Sequence, residues 1–182
     1  SETAYMLTTD ALTVYPNINV IFAINDAIAS GAIRACRDLG LDPDAVLVVT
    51  FGLEGDTLKN ALINGHYCKG GLAHFPEIFG PVCIEAAITA YNDRPLPRRL
   101  ITPHRILSTE TLTTLYERCD NGWHLRWDTA KKSLSIPLEI DRREREEGLV
   151  YPDRIGFVVP FSEHEWYKNV AASMRAHAEP LG

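Results

Sequence analysis

The sequence predicts an α/β fold, a mostly parallel sheet layered by helices, with an inserted hairpin and linker. Three observations predict it. Two β-branched and aromatic runs, Val20–Ile24 and Val46–Phe51, have the continuous hydrophobicity of strands covered on both faces. Each is followed within a few residues by an apolar stripe of helical period, so strand and helix alternate across short connections. The chain has 182 residues and 46% hydrophobic composition, enough for a sizeable core, since a chain this long buries roughly 70% of its unfolded surface.

Taken in order, Ala4, Leu7, Ala11, Leu12 and Val14 fit a first helix over Ser1–Tyr15, which Pro16 ends by disfavouring helix in the residue before it. The strand Val20–Ile24 runs straight into Asn25-Asp26, short polar acceptors suited to the free N–H groups of a new helix. Ile28, Ala29, Ala32, Ile33, Cys36 and Leu39 form the stripe of that helix, with Gly40 placed to terminate it. The unit repeats with strand 46–51, a helix over Glu54–Ile63 closed by Gly65, a short strand Gly71–His74 and a helix over Phe75–Asn92. Pro76 is tolerated in its first turn. A strand over Leu100–Leu107 completes the block.

The pattern breaks over residues 108–153. Ser108 with Thr111–Leu115 starts a short helix, and His124–Trp127 and Leu134–Leu138 read as strands of a hairpin turning at Asp128–Lys132. Glu139–Glu147 is almost entirely charged, a solvated helix or linker with Glu139/Arg143 and Asp141/Arg145 at i,i+4 spacing. The α/β grammar then restarts: Ile155–Val159 reads as a buried strand and Glu163–Ala178 as a helix. No basic and apolar leader opens the chain at Ser1, which already reads as helical, so the sequence is expected to be an excised piece of a longer protein.

Several function classes fall away. A formal net charge of −6 offers no global positive field for nucleic acid. The apolar runs fall far short of the roughly 20 residues a membrane-spanning helix needs. Cys36, Cys68, Cys83 and Cys119 make no C-x-x-C pair and read as reduced thiols. His66, Cys68, His74 and Cys83 match no usual zinc spacing, so neither metal nor cofactor is expected. Neither a G-x-S-x-G elbow nor a phosphate-cradling glycine motif occurs, Phe51-Gly52-Leu53-Glu54-Gly55 reading as a tight turn.

Ligands of open α/β sheets bind at the carboxyl ends of the strands, which singles out Asn25, Asp26, the loop 52–55, His74 and the turn 162–166. Asn25 carries both an amide donor and an acceptor, suited to a polyhydroxyl ligand or simply to capping a helix. Glu163 and Glu165 flank His164, and of the adjacent aromatics Trp166 and Tyr167 at most one can face a core. The other is available to stack on a flat ligand face.

On these residues the sequence resembles a known family. The segment VIFAINDAIASGA opening at Val20 is similar to the FAxNDxxAxGA strand-to-helix signature of type I periplasmic sugar-binding proteins and LacI-type effector domains. Val46–Gly52, VLVVTFG, resembles the family's strand ending in GFD, and Leu72–Pro76, LAHFP, the segment carrying a ligand-binding glutamine before a proline. Arg154–Gly182 resembles the family's opening strand and first helix, with Trp166 and Tyr167 at the aromatic positions and His164 at the polar one. The resemblance implies three parts: residues 1–107 as a partial C-terminal lobe, 108–153 as linker, and 154–182 as the start of an N-terminal lobe.

It further implies a non-enzymatic module that binds a small, sugar-like polar ligand through Asn25, Asp26, Glu54, His74, His164, Trp166 and Tyr167. Gly52 stands where the family has an aspartate and His74 where it has a glutamine, leaving Glu54 as the carboxylate available from the same loop. The partners implied are an ABC permease, for an extracytoplasmic receptor, or a fused regulatory domain, for a cytoplasmic regulator. Direct nucleic-acid contact and membrane insertion are not expected, and strand exchange through 155–159 offers a route to homo-oligomers, with that strand joining the sheet of 20–24 and 46–51. Two other readings compete: an assembly module whose ligand site has decayed, and a Rossmann-like enzyme using Asp26 or His74 as acid or base.

Overall fold

The computed structural model describes residues 1–182. The chain divides into two compact units, one of Ser1–His74 with His104–Ala130 and the other of Phe75–Pro103 with Lys131–Gly182.

In the first unit, α1 (Glu2–Val14) precedes β1 (Val20–Ala23), α2 (Asp26–Asp38), β2 (Leu47–Phe51), α3 (Asp56–Ile63) and β3 (Cys68–Ala73). After the excursion into the second unit come β4 (Arg105–Leu107), α5 (Thr109–Leu115), β5 (Tyr116–Cys119) and β6 (Gly122–Leu125). The sheet runs β1-β2-β3-β4, parallel across the first three strands with Phe22 beside Val49 and Phe51 beside Leu72; β4 is antiparallel, with Leu72 beside Ile106. Only three residues of the expected strand 100–107 pair, after Pro103, whose ring nitrogen cannot donate to a ladder.

Helices α2 and α3 cover one sheet face, burying Ala23, Val48, Thr50, Ala73 and Leu107 beneath Ala29, Ala32, Ile33, Leu58 and Leu62. The other face is open. Val20, Phe22 and Ile24 are 54, 63 and 62% exposed, so β1 is not covered on both faces as its unbroken hydrophobicity predicted. The unit's own helices pack on one side, α1 lying on α2 instead of on the sheet. A Cβ on Gly31 would lie 2.6 Å from the Ser1 carbonyl oxygen, and this close approach is what lets α1 settle there.

The hairpin lies earlier than the sequence suggested. β5 pairs with β6, Cys119 opposite Gly122, across a two-residue Asp120-Asn121 turn, and Gly122 takes φ +121°. Leu112, Leu115 and Tyr116 are buried, and Trp123 ties the hairpin to α3 by donating Nε1–H to Asn60 Oδ1 at 3.0 Å. Residues 128–132, expected as a turn, belong instead to α6 (Trp127–Ser133), whose early Asp128 and late Lys131 and Lys132 complement the helix dipole.

In the second unit, α4 (Pro76–Tyr91) packs on α7 (Glu165–Ala178) around Ile84, Ile88, Val170, Met174 and Leu181. Contact is closest at Gly80, where a Cβ would lie 2.7 Å from the Met174 backbone nitrogen. Buried Glu85 accepts from Arg142 Nε at 3.1 Å and pairs with His177 Nε2 at 2.9 Å.

Three expectations here are corrected. Leu134–Leu138 forms no strand, because the expected partner 124–127 gives His124 and Leu125 to β6, which pairs with β5, and Trp127 to α6. Residues 139–147 form no helix: Arg142 turns to Glu85, Arg145 to the Leu181 and Gly182 carbonyls, and Asn92 clamps Val150 through bonds of 2.7 and 2.8 Å. Ile155–Val159 is not a strand either and joins no sheet with 20–24 and 46–51. It lies between Pro152 and Pro160, contains Gly156, and leaves Val158 95% exposed, so strand exchange has no formed strand to exchange. No helix of the chain is long and apolar enough to cross a membrane.

Candidate functional site

Four of the residues singled out by the sequence come together in the first unit, at the carboxyl ends of β1, β2 and β3. Asn25 caps α2, its Oδ1 accepting from the Ile28 N–H at 2.9 Å, so the oxygen is committed to the helix and the amide N–H groups are the part left for a ligand. Asp26 turns inward and is 6% exposed; its Oδ2 accepts from the backbone N–H of Glu54 at 3.0 Å and of Gly55 at 2.8 Å. It thereby ties the start of α2 to the β2–α3 loop. The other oxygen, Oδ1, is buried without a hydrogen-bond partner.

Glu54 is also buried. Its Oε1 accepts from the His74 backbone N–H at 3.1 Å, linking the loop to the end of β3, while Lys59 donates its ammonium to the Glu54 carbonyl at 2.7 Å beneath the Tyr116 ring. Burial, then the negative charge of Asp26, push the Glu54 carboxyl up to about 8. Burial and nearby His104 lower the His74 imidazole, which favours a neutral ring, and burial pushes the Cys68 thiol up to about 11.

Gly52 makes this geometry possible. At φ +133° the position suits glycine alone, and a Cβ there would stand 2.7 Å from Asp26 Oδ1 and 2.9 Å from Glu54 Oε2. An aspartate at 52 would drive a third carboxylate into the pair, so the departure from the GFD pattern and the inward turn of Glu54 belong together. Glu54 is spent on the loop and is not an outward-facing carboxylate.

What faces outward is Asn25, the half-buried His74 ring and Phe51, whose ring meets that of His74 at 4.8 Å between centroids, inclined by 57°. Phe51 is 49% exposed, although the sequence marks it only as the end of a buried strand. The signal is its place directly before a glycine turn at a strand's carboxyl end.

His164, Trp166 and Tyr167 lie in the second unit at the start of α7. His164 caps the helix, Nδ1 accepting from the Trp166 N–H at 3.2 Å, and its ring meets Tyr167 edge-on at 5.8 Å. Trp166 packs edge-on against Phe79 of α4 at 5.3 Å and joins the core, while Tyr167, also half-buried, packs against His164. No group of three or more His, Cys, Asp or Glu side chains is placed to hold a metal ion, and the four cysteines are free thiols.

The parallel βαβ lobe is shared with known proteins. An ABC transporter periplasmic solute binding protein from Actinobacillus succinogenes, solved with bound D-allose, superposes with a TM-score of 0.55 at 31% identity, over 60% of this chain and 37% of that one. The chain is similar to type I periplasmic sugar-binding proteins. A carbohydrate transporter solute binding protein from Agrobacterium radiobacter, in complex with D-arabinose, shares the fold at TM-score 0.55 and 24% identity, over 62% of this chain and 37% of that one. The ribose import binding protein RbsB of Bacillus subtilis is 26% identical over 92 residues, half of this chain and 28% of that protein. The chain thus spans well under half the length of each of these three proteins. No protein-family profile matches it.

Proposed function

We propose that the chain is part of a non-enzymatic, carbohydrate-binding module of an extracytoplasmic transport receptor. The amide of Asn25, the ring of Phe51 and the imidazole of His74 face the ligand in this reading, while Asp26 and Glu54 hold the loops that present them. His164 and Tyr167 form the candidate ligand surface of the second unit, with Trp166 anchoring it. The observation that carries the reading is the convergence of Asn25, Phe51 and His74 at the carboxyl ends of parallel strands, in a chain 31% identical over 60% of its length to a solute binding protein solved with bound D-allose. An amide donor and a neutral imidazole suit hydroxyl groups, and a half-exposed aromatic ring suits the apolar face of a sugar.

Thermal unfolding in the presence of D-allose, D-arabinose and D-ribose tests it. A sugar at 100 times its dissociation constant stabilises the folded chain by about 2.7 kcal/mol, and saturable stabilisation by at least one of them is expected. No stabilisation, together with a solution mass that grows with concentration, supports an assembly module instead; the exposed Phe22 and Ile106 on the open sheet face are the observation favouring that second reading.

A further inference from the structure

We propose that Asp26 and Glu54 share one proton across the Gly52 turn, and that this proton latches the β2–α3 loop to the start of α2. The two side chains approach from different elements, yet Asp26 Oδ1 and Glu54 Oε2 both converge on the point where a Cβ of residue 52 would stand, at 2.7 and 2.9 Å. Both residues are 6% exposed, and Asp26 Oδ1 has no donor from any N–H or O–H of the chain. Two ionised carboxylates so placed repel each other without water to screen them, whereas one proton between them converts repulsion into a hydrogen bond.

Asp26 Oδ1 meets no rival donor. On α2 the titratable group at the turn is Asp26 itself, with Arg34, Cys36, Arg37 and Asp38 two or more turns further along the helix. From α3, Lys59 gives its ammonium to the Glu54 carbonyl and the face of Tyr116, not to the carboxyl pair. From β3 come Cys68, whose raised thiol stays protonated, and the His74 backbone N–H, which reaches Glu54 Oε1. The His74 ring, with His104 beyond it, is held towards neutrality by burial and by that second histidine. The raised Glu54 carboxyl follows from this arrangement, and the latch stands whether or not the chain binds a sugar.

Glu54 keeps its proton up to about 8 when folded but releases it near its ordinary 4.5 when unfolded. Between those values the folded chain binds more protons than the unfolded one, so each rise in pH favours unfolding, and above the upper value the loss is complete. The test is urea unfolding of the wild-type chain and of Glu54→Gln from pH 5 to pH 9. The side-chain amide that this substitution introduces can donate to Asp26 and accept from His74 at every pH.

The ratio of wild-type to variant unfolding constants is expected to climb by up to tenfold per pH unit across that window and then level off. A ratio that stays flat overturns the latch. Carbon-13 NMR of glutamate carboxyl groups in the wild-type chain decides the matter even if the variant does not fold. One carboxyl titrating far above the others supports the shared proton, and all of them titrating in the ordinary glutamate range overturns it.

Discussion

Replacing Gly52 by alanine tests the site's construction at its tightest point. At φ +133° an alanine incurs backbone strain of about 1–3 kcal/mol. Its methyl group also enters the space between Asp26 Oδ1 and Glu54 Oε2, at 2.7 and 2.9 Å. Neither carboxyl can retreat cheaply, because Asp26 Oδ2 is held by the N–H groups of Glu54 and Gly55, and Glu54 Oε1 by that of His74. Overpacking of this kind adds about 1–3 kcal/mol, giving a total of about 2–6 kcal/mol. Gly40→Ala is the matched control: its φ is +66° and nothing lies within 4 Å of its Cβ, so it carries only the left-handed penalty of about 1–2 kcal/mol. Urea unfolding followed by far-ultraviolet circular dichroism reads both variants, with the midpoint of Gly52→Ala expected well below that of Gly40→Ala at unchanged slope. Equal midpoints would refute the reasoning, since they would mean that the carboxyl pair does not crowd position 52.

Asn25→Asp keeps the oxygen that caps α2 but removes the amide donors, so stability is expected to fall by less than about 1 kcal/mol while sugar-induced stabilisation is lost; thermal unfolding with and without sugar measures both. Glu85→Gln leaves Arg142 and His177 facing an uncharged partner in the second unit and is expected to cost about 3–5 kcal/mol, read from its urea midpoint. Thiol labelling at pH 8 is expected to modify exposed Cys119 first and Cys83 next. Cys36 and Cys68 should react only as the chain opens, because both are fully buried and burial raises their thiols; mass spectrometry of timed samples gives the order.

The first hundred residues are largely legible in sequence because their signals are local and mutually consistent. The runs 20–24 and 46–51, the cap at Asn25, and the stops at Gly40 and Gly65, both at positive φ, each fix an element without help from distant contacts. The single-sided covering of β1 is not legible, since a continuous apolar run does not say whether a second layer packs on it. After residue 107 the local signals mislead: Ile155–Val159 has strand composition but no partner edge, and 139–147 has helical charge spacing but its arginines find buried Glu85 and the chain's final carbonyls. At the site, Asn25 and His74 can be singled out from position alone. The inward turn of Asp26 and Glu54 cannot, because it depends on the space that Gly52 leaves between two elements. Phe51 carries a sequence signal, a strand-end aromatic before a glycine turn, that is easily absorbed into the strand.

The central claim is that a ligand of sugar type meets this chain at the carboxyl ends of β1, β2 and β3. Amide chemical-shift mapping by NMR during titration with D-allose, D-arabinose and D-ribose tests it most directly. The account predicts saturable shifts confined in the first unit to the backbone around Asn25, the turn from Phe51 to Gly55, and His74. Shifts that cluster away from these strand ends, or none with any of the three sugars, would contradict it.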